Sequence, residues 1–561
     1  MSKKIINTIP KNKSVSRNIC DKSNTYITLL TKTNHNNTNN TNNNNKNTKS
    51  NNKNNNTPYN KYKTYIKTIS NKFINSQNNL LSNLFHIKDN TSFTVSYTEE
   101  LLSNSSNSGG SIYSIPKFID LFRYLITVNA FITQFTLEDQ NTLKDNLSIE
   151  KTKKQCYSFL DKSLLGNKII SVYTSINHLL TNDTQFKTKF PSLDFHNLLI
   201  NSFTSYKILE DLELNIKKLV KYSINWKGKS NTNFVYLFMY DKEKSTNSYS
   251  YTPDQLNKIG TEIVKRILFF NIFLNSNVYP DKFIIFITDN KKEIDKELVE
   301  EAHFKTINVN TAVTNSKDII IYREQELFKS IFHELIHFHN LDFRNISNTI
   351  LSKIINYLTI THNINKNNKY LLYECITETL ANILNNIYYS GSIKEFNTNL
   401  QDEIMFSTLQ VCKILHICKY KKWSDFSLHS IHSSIIPSHN KTDKHSKYPT
   451  HPKQFKQDSC VFSYYILKLY ILLNIDIYFK TILDNKMKFI QTETSFNKLI
   501  EIFDASRKNS ILENIINHIL QGLNSKNKYK YKNKNKTKTN KINKTLRMTC
   551  LESNLFNKNA I

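Results

Sequence analysis

Two histidines and a glutamate near the middle of the chain have the residue types and the spacing of a metal-dependent hydrolytic site. Residues 333–337 read HELIH, which is the pattern HExxH. Histidines four residues apart lie one turn apart on the same face of a helix, so His333 and His337 can bind one tetrahedral zinc ion. Glu334 then lies beside the metal, where a carboxylate can act as the general base that takes a proton from water.

A third ligand is required, because catalytic zinc usually takes three protein ligands and keeps one position for water. The segment YLLYECITETLANILNNIYY (370–389) has the apolar periodicity of a helix and carries Glu374 and Glu378 four residues apart. Both carboxylates therefore face the same way among apolar neighbours, where a charge is costly unless it is paired. Either glutamate can supply the missing ligand.

The HExxH segment followed by a glutamate on a later helix resembles the gluzincin branch of the zincin metallopeptidases. In that branch the third ligand is typically followed by a small residue at +3 and by Asp at +4. Glu378 with Ala381 and Asn382 fits this arrangement, except that Asn stands where the family usually has Asp. The resemblance implies that Asn382 makes a weaker, uncharged hydrogen bond to a ligand histidine.

The resemblance also implies the chemistry of the site. One zinc ion per chain is expected, held by His333, His337 and Glu378, with Glu374 as the alternative ligand. Glu334 is expected to take a proton from water and return it to the leaving amine, so the expected reaction is hydrolysis of a peptide or protein substrate. Several gluzincins stabilise the oxyanion with a Tyr or His near the metal, and four tyrosines are candidates by position: Tyr370, Tyr373, Tyr464 and Tyr465.

The residues before the HExxH segment predict a small mixed sheet. Short runs of residues that favour β-structure predict four strands, at 233–240, 282–288, 307–315 and 318–323. A helix beginning at TPDQ (252–255) separates the first two strands, and the last two are expected to form a hairpin that leads into a helix at 324–339. Zincins use the edge strand of such a sheet to align an extended peptide, and residues 309–314 are the candidate here.

The expected fold class is therefore α+β and mostly helical, with a zincin-like catalytic domain. The predicted organisation is a disordered Asn/Lys-rich tail at 1–70, a helical N-terminal region at 71–225, the catalytic domain at 226–523 with a flexible insertion at 427–457, and a basic disordered tail at 524–561. Only seven glycines occur, and their positions allow neither a GxGxxG turn nor a GxxxxGK loop. Those nucleotide-binding classes are excluded.

The formal net charge of +30 is concentrated at the two ends of the chain. Residues 1–70 carry a net charge of +12, and residues 526–547 carry +10. Solvated tails account for such charge, and weak, salt-sensitive binding to nucleic acid through these tails is the further expectation. Two alternatives to an active enzyme stay open: a catalytically degenerate zincin-fold scaffold, and a nucleic-acid-associated structural protein that acts through its basic tails.

The cysteines and the N-terminus indicate the cellular environment. Seven cysteines form no CxxC pair, and their odd number and wide spacing disfavour a disulfide framework. The first residues lack the apolar stretch of a secretory signal, and no clean run of ~20 apolar residues predicts a membrane span. An intracellular location, cytoplasmic or virion-associated, is expected.

Overall fold

The computed structural model describes fifteen separate stretches of the chain and two isolated residues, Tyr251 and Asn368. These are residues 15–16, 18–32, 57–89, 96–101, 216–225, 232–240, 251, 253–274, 278–288, 290–314, 318–342, 347–365, 368, 370–428, 455–483, 492–526 and 544–553. The strands are β1 (Val15–Ser16), β2 (Ser96–Leu101), β3 (Ile216–Asn225), β4 (Thr232–Tyr240), β5 (Lys282–Ile287), β6 (His303–Phe304), β7 (Ala312–Thr314), β8 (Asp318–Ile321), β9 (Lys456–Gln457) and β10 (Glu552–Ser553).

The helices are more numerous and include one π-helical turn at Phe462–Leu467. They are α1 (Asn18–Lys32), α2 (Pro58–Ser76), α3 (Asn78–Asp89), α4 (Pro253–Leu274), α5 (Lys296–Glu301), α6 (Thr306–Val309), α7 (Leu327–Phe338), α8 (Asn348–Thr361), α9 (Tyr373–Tyr389), α10 (Ile393–Ile417), α11 (Trp423–Phe426), α12 (Lys468–Leu472), α13 (Ile475–Ile482), α14 (Glu493–Arg507) and α15 (Ser510–Lys526). The chain is therefore mostly helical with a small sheet component, as the α+β prediction requires.

One compact unit, within residues 92–292 and 305–339, is built on a mixed sheet with strand order β2-β3-β4-β5-β8-β7. Strands β4, β5 and β8 pair in parallel, and β7 runs antiparallel to β8 at the edge. Strands β5 and β8 read KFIIFI and DIII and are buried along almost their whole length, as expected for interior parallel strands. The predicted mixed sheet and its edge hairpin are confirmed.

Helix α7, which carries the HExxH segment, is held in place by an aromatic contact with α4 and by an ion pair at its N-cap. Phe332 of α7 contacts Phe269 of α4, with ring centroids 6.0 Å apart. Glu326, at the N-cap, adopts a left-handed conformation with φ of 64°, and its carboxylate lies 2.6 Å from the buried Lys292 ammonium. Because a left-handed backbone is unfavourable for a residue with a side chain, this buried ion pair helps to hold the start of the helix in place.

The described residues of the other compact unit, which lies within residues 1–91, 293–304 and 340–561, are mostly helical. Helix α9 is at its centre, because every residue from Glu374 to Tyr389 is buried. It packs against the π-helical turn, α12 and α10, and α10 packs in turn against α1, α2 and α15. Polar side chains on α9 are thus held in a low-dielectric interior, where each of them needs a partner or a ligand.

The region around the π-helical turn contains the most apolar helices of this unit. Within the described residues no single helix is long and apolar enough to cross a membrane, although the bent pair Phe462–Leu472 and Ile475–Ile482, which turns by 98°, meets the length and composition requirements together. Most side chains of both segments are buried inside the unit.

The two predicted disordered tails contain ordered segments, so the prediction is wrong for those segments. Helix α1 and most of α2 lie within 1–70, and residues 544–553 of the basic tail are packed into the helical unit. In α2 the buried apolar side chains are Tyr62, Ile66, Ile69 and Phe73, which have the spacing of one helix face. Averaged composition hides such a stripe, because the intervening positions are mostly Asn, Lys and Thr.

Two further predictions are corrected by the sheet. The end of the predicted helical region 71–225 is the strand β3, because residues 216–225 pair antiparallel with β4, and this pairing overrides their helical periodicity. The predicted strand 307–315 begins as helix α6, and of its described residues Ala312–Thr314 form the strand. Most of the 71–225 region and residues 429–454 of the predicted insertion lie outside the described residues.

A buried histidine makes the stability of the helical unit sensitive to acid. The Nδ1 atom of His362 lies 3.2 Å from the Leu358 carbonyl oxygen, and its Nε2 atom lies 2.9 Å from the Tyr470 hydroxyl. Nδ1 therefore donates to the carbonyl, and Nε2 accepts from the hydroxyl. Burial lowers the pKa of His362 to about 3, from an ordinary value of 6.5.

We expect the free energy of unfolding to fall as the pH falls from 6.5 toward 3, because over this window the unfolded state binds a proton that native His362 does not. At pH 4.5 the loss from this residue is about 2–3 kcal/mol relative to pH 7. Denaturant unfolding at both pH values, for wild type and His362→Gln, measures it. His362→Gln should lose less stability between the two pH values than wild type, and the exposed control His86→Gln should lose as much as wild type. Equal losses in wild type and His362→Gln would contradict this assignment.

Candidate metal centre

Helix α7 presents the two histidines of the HExxH segment side by side, as their spacing predicts. Both rings are buried, and the Nε2 atoms of His333 and His337 lie 3.1 Å apart. Two nitrogens that each lie 2.0–2.1 Å from a tetrahedral zinc ion are separated by about 3.3 Å. The observed separation is close to this value, so both imidazoles can bind the same ion with little movement.

A buried carboxylate completes the group. One ligand atom from each of His333, His337 and Glu374 lies within 4.8 Å of the others, and all three residues are buried. Such a group can hold a metal ion. Glu374 lies in the first turn of α9, where the partial positive charge of the helix N-terminus favours an anion. Two imidazoles and one carboxylate are a ligand set typical of catalytic zinc, with a fourth position left for water.

Glu378, the ligand that the family resemblance favours, is not a member of this group. Its carboxylate is fully buried and lies 3.9 Å from the ammonium of Lys468, which is also buried. Lys468 is the first residue of α12 and donates a hydrogen bond to the Met548 carbonyl. The alternative ligand Glu374, one turn earlier on α9, is the glutamate that the structure groups with the histidines, and Glu378 belongs to a buried ion pair.

Glu334 is held by the edge strand of the sheet. The hydroxyl of Thr314, the last residue of β7, lies 2.5 Å from one carboxylate oxygen of Glu334 and 3.2 Å from the Glu334 carbonyl oxygen. The hydroxyl has a single proton, so the shorter contact is the stronger hydrogen bond. The general-base candidate is therefore buried, oriented by a neighbouring side chain, and attached to the same edge strand that is the candidate peptide-binding element.

Asn382 does not have the position that the resemblance implies. Its side-chain amide donates to the Met548 carbonyl at 3.4 Å, and its buried amide oxygen has no hydrogen-bond partner in the part of the chain that the structure describes. Lys468 donates to the same carbonyl. Within the described residues Asn382 thus contacts the C-terminal segment (residues 544–553), and no hydrogen bond from it to His333 or His337 is found.

The four tyrosine candidates separate into two pairs. The hydroxyl of Tyr370 donates to the Asn365 carbonyl at 2.6 Å, and the hydroxyl of Tyr465 donates to the Leu546 carbonyl. Burial also raises the pKa of Tyr370, so this hydroxyl keeps its proton. Both groups are committed to backbone contacts in their own surroundings. Tyr373, beside Glu374 at the start of α9, and Tyr464, in the π-helical turn that packs on α9, stay as candidates.

A third histidine on the same segment is outside the group. His339 follows α7 and stacks against Phe270 of α4, with ring centroids 5.5 Å apart. Burial lowers its pKa to about 4, so its imidazole is neutral near pH 7. His339 packs beside the helix and is not one of the ligands.

Thr314 and Lys468 carry little sequence signal of the contacts that they make. Thr314 is one of two threonines in the segment INVNTAVTN (307–315), and Lys468 is one of many lysines in a lysine-rich chain. Only pairing with the neighbouring elements gives them a function. The one available hint is that Lys468 interrupts a strongly apolar segment, where an ionisable residue requires a partner.

Comparison with known proteins gives no relative from which a function could be carried over. No family model, no curated protein and no solved structure matches the chain.

Proposed function

We propose that this protein is a metal-dependent hydrolase, with zinc as the metal and peptide bonds as the substrate class. The observation that carries the proposal is the buried group formed by His333, His337 and Glu374. Its ligand types fit zinc, and the acidic neighbour in the HExxH segment supplies the general base that hydrolysis requires. The resemblance to the gluzincin zincins supports the same reaction.

Each side chain of the proposed site has its own role in the reaction. His333, His337 and Glu374 would hold the metal, which when bound supplies Lewis-acid chemistry by lowering the pKa of water and polarising a carbonyl group. Glu334 accepts the proton of the attacking water and then donates it to the leaving amine. The hydrogen bond from Thr314 orients one carboxylate oxygen of Glu334, so that the other oxygen is the one available to the water.

The preference for peptides over other acyl substrates is supported by the edge strand. Among the described residues, strand β7 pairs with β8 alone and forms the last position of its sheet. An extended peptide can add to such an edge through backbone hydrogen bonds, without a requirement for particular side chains. Because Thr314 of this strand also contacts Glu334, a peptide aligned on β7 would have its backbone beside the general base.

Metal stoichiometry is the direct test of the proposal. Purified full-length protein is expected to contain one zinc ion per chain by elemental analysis, and His333→Ala and His337→Ala should each lower the metal affinity by at least ~100-fold. The control His86→Ala removes an exposed histidine and should leave the zinc content unchanged. Wild-type protein that binds no zinc at micromolar free metal would refute the proposal.

A peptide-library digest separates catalysis from metal binding alone. Zinc-loaded wild type is expected to cleave a subset of peptides, and a chelator should stop this cleavage. Zinc binding without cleavage of any peptide would favour the alternative of a catalytically degenerate scaffold.

A further inference from the structure

Two cysteines from opposite ends of the chain lie in direct contact. The Sγ atoms of Cys20 and Cys550 are 2.6 Å apart, although 530 residues separate them in the sequence. Both side chains are buried. The separation is close to the bonded distance of about 2.05 Å, so a disulfide requires a movement of only about 0.5 Å. The other described cysteines, Cys375, Cys412, Cys418 and Cys460, are also buried.

The first cysteine is held in place by the packing of α1. Cys20 is in the first turn of this helix, which lies against α10 and α15. At the contact with α15, a Cβ atom at Gly522 would approach the Leu30 carbonyl oxygen to 2.7 Å, and real Cβ atoms do not come so close. A glycine is therefore required at this point for α1 to pack as closely as it does.

The second cysteine is held by an extended segment whose backbone is bound by buried side chains. Along the C-terminal segment, Lys413 donates to the Thr545 carbonyl at 3.0 Å, and Gln410 donates to the Arg547 carbonyl at 2.9 Å. At Cys550 itself, the backbone N–H donates to the carboxylate of Glu403 at 2.9 Å.

The short strand β10 continues this segment and pairs antiparallel with β1, which directly precedes α1. Both ends of the described chain therefore converge on this sulfur pair, and each is fixed by contacts that do not depend on the sulfurs.

We propose that Cys20 and Cys550 are a modification site, at which a disulfide bond joins the N-terminal helix to the C-terminal segment. The co-reactant is a small disulfide of the glutathione class. One cysteine thiolate attacks it and forms a mixed disulfide with release of one thiol. The other cysteine thiolate then displaces the second thiol, so that two cysteines are oxidised, one small disulfide is reduced to two thiols, and the two cysteine protons pass to those thiols.

The burial of the pair determines when this exchange takes place. Burial raises the pKa of Cys550, and the thiolate is the form that reacts. Exchange therefore takes place before the C-terminal segment is fully docked, and the bond once formed is shielded from reductants. Its effect is to hold in place the segment whose Met548 carbonyl accepts from Lys468, the partner of Glu378 on α9.

Peptide mapping of the full-length protein tests the site. The protein is refolded in an excess of oxidised over reduced glutathione, alkylated in denaturant and digested with trypsin. We expect a cross-linked pair that joins residues 18–22 to residues 548–558, and two fewer alkylated thiols than the seven of reduced protein. Full alkylation of both cysteines after this treatment, or a bond from either one to another cysteine, would overturn the proposal.

Two variants and a thermal measurement complete the test. Cys412→Ser, a matched change at another buried cysteine, should keep the cross-link, and Cys550→Ser should abolish it without a substitute bond from Cys20. The bond closes a very long loop, so oxidised wild type should unfold at a temperature at least ~5 °C above reduced wild type, and Cys550→Ser should show no such difference. A cross-link that did not raise the unfolding temperature would contradict the claim that the bond holds the C-terminal segment in place. Because zinc content and peptide cleavage are not read out here, failure of this proposal is distinguishable from failure of the proposed hydrolase.

Discussion

Glu334→Gln is expected to leave one zinc ion bound per chain and to lower the rate of peptide hydrolysis by about 10²–10⁴-fold. The reason is that glutamine has nearly the same shape and can still accept the hydrogen bond from Thr314, but it cannot take a proton from water. The measurement pairs the initial rate of peptide cleavage with elemental analysis of the same sample. The expected signature is therefore loss of catalysis with metal retained.

The matched control for this variant is Glu300→Gln, which makes the same chemical change at an exposed position on α5. It should retain both zinc and full activity. If Glu334→Gln cleaved peptides as fast as wild type, Glu334 would not be the general base, and the mechanism would have to be abandoned even with zinc present. If the variant lost its zinc as well, the two functions could be separated by Glu334→Asp, which keeps a carboxylate but shortens its reach.

Glu374 and Glu378 should respond in opposite ways when each is changed to glutamine. For Glu374→Gln we expect the affinity for zinc to fall by at least ~100-fold with little change in stability, because a neutral amide replaces a carboxylate ligand. For Glu378→Gln we expect full zinc stoichiometry and a loss of ~3 kcal/mol in the free energy of unfolding. The second expectation follows from the removal of the carboxylate beside the buried ammonium of Lys468.

Two measurements distinguish these outcomes, namely zinc titration against a competing chelator and denaturant unfolding of the metal-free proteins. A second change, Lys468→Met in the Glu378→Gln background, should restore part of the lost stability, since it removes the buried charge that has lost its partner. If Glu378→Gln lost its zinc and Glu374→Gln bound zinc normally, the third ligand would be Glu378, as the family resemblance implies. Normal zinc binding in both variants would exclude α9 as the source of the third ligand.

The different roles of Glu374 and Glu378 could not be predicted from the sequence. They are one turn apart on the same face of one helix, so periodicity treats them alike. The choice between a metal ligand and an ion-pair partner depends on which other elements lie beside each turn. For Glu378 that neighbour is the lysine at the start of α12, 90 residues later in the chain. No local pattern contains this information.

The order of the two end segments of the chain also depends on contacts with distant residues. Residues 1–70 have the composition of a disordered tail, yet they contain α1 and most of α2, because a single stripe of apolar side chains is enough to dock a helix on a large core. The C-terminal segment is ordered for a different reason. This segment belongs to a lysine-rich tail. Side chains of α10 and α12 hold it in place by donating hydrogen bonds to its carbonyl groups. Composition cannot reveal contacts of this kind.

The sequence by itself determined the HExxH pair, the helix that presents it, the interior strands of the sheet and the edge hairpin, because each of these follows from residues that are close together in the chain. Periodicity and spacing are local properties, and local geometry is enough to bring His333 beside His337. The tertiary structure decided what depends on distant residues: Glu374 as the third member of the group, the pairing of Glu378 with Lys468, the hydrogen bond from Thr314 to Glu334, and the contact between Cys20 and Cys550. Each of these is set by the packing of separate elements, and a buried polar group acquires its function from whichever partner that packing brings within reach.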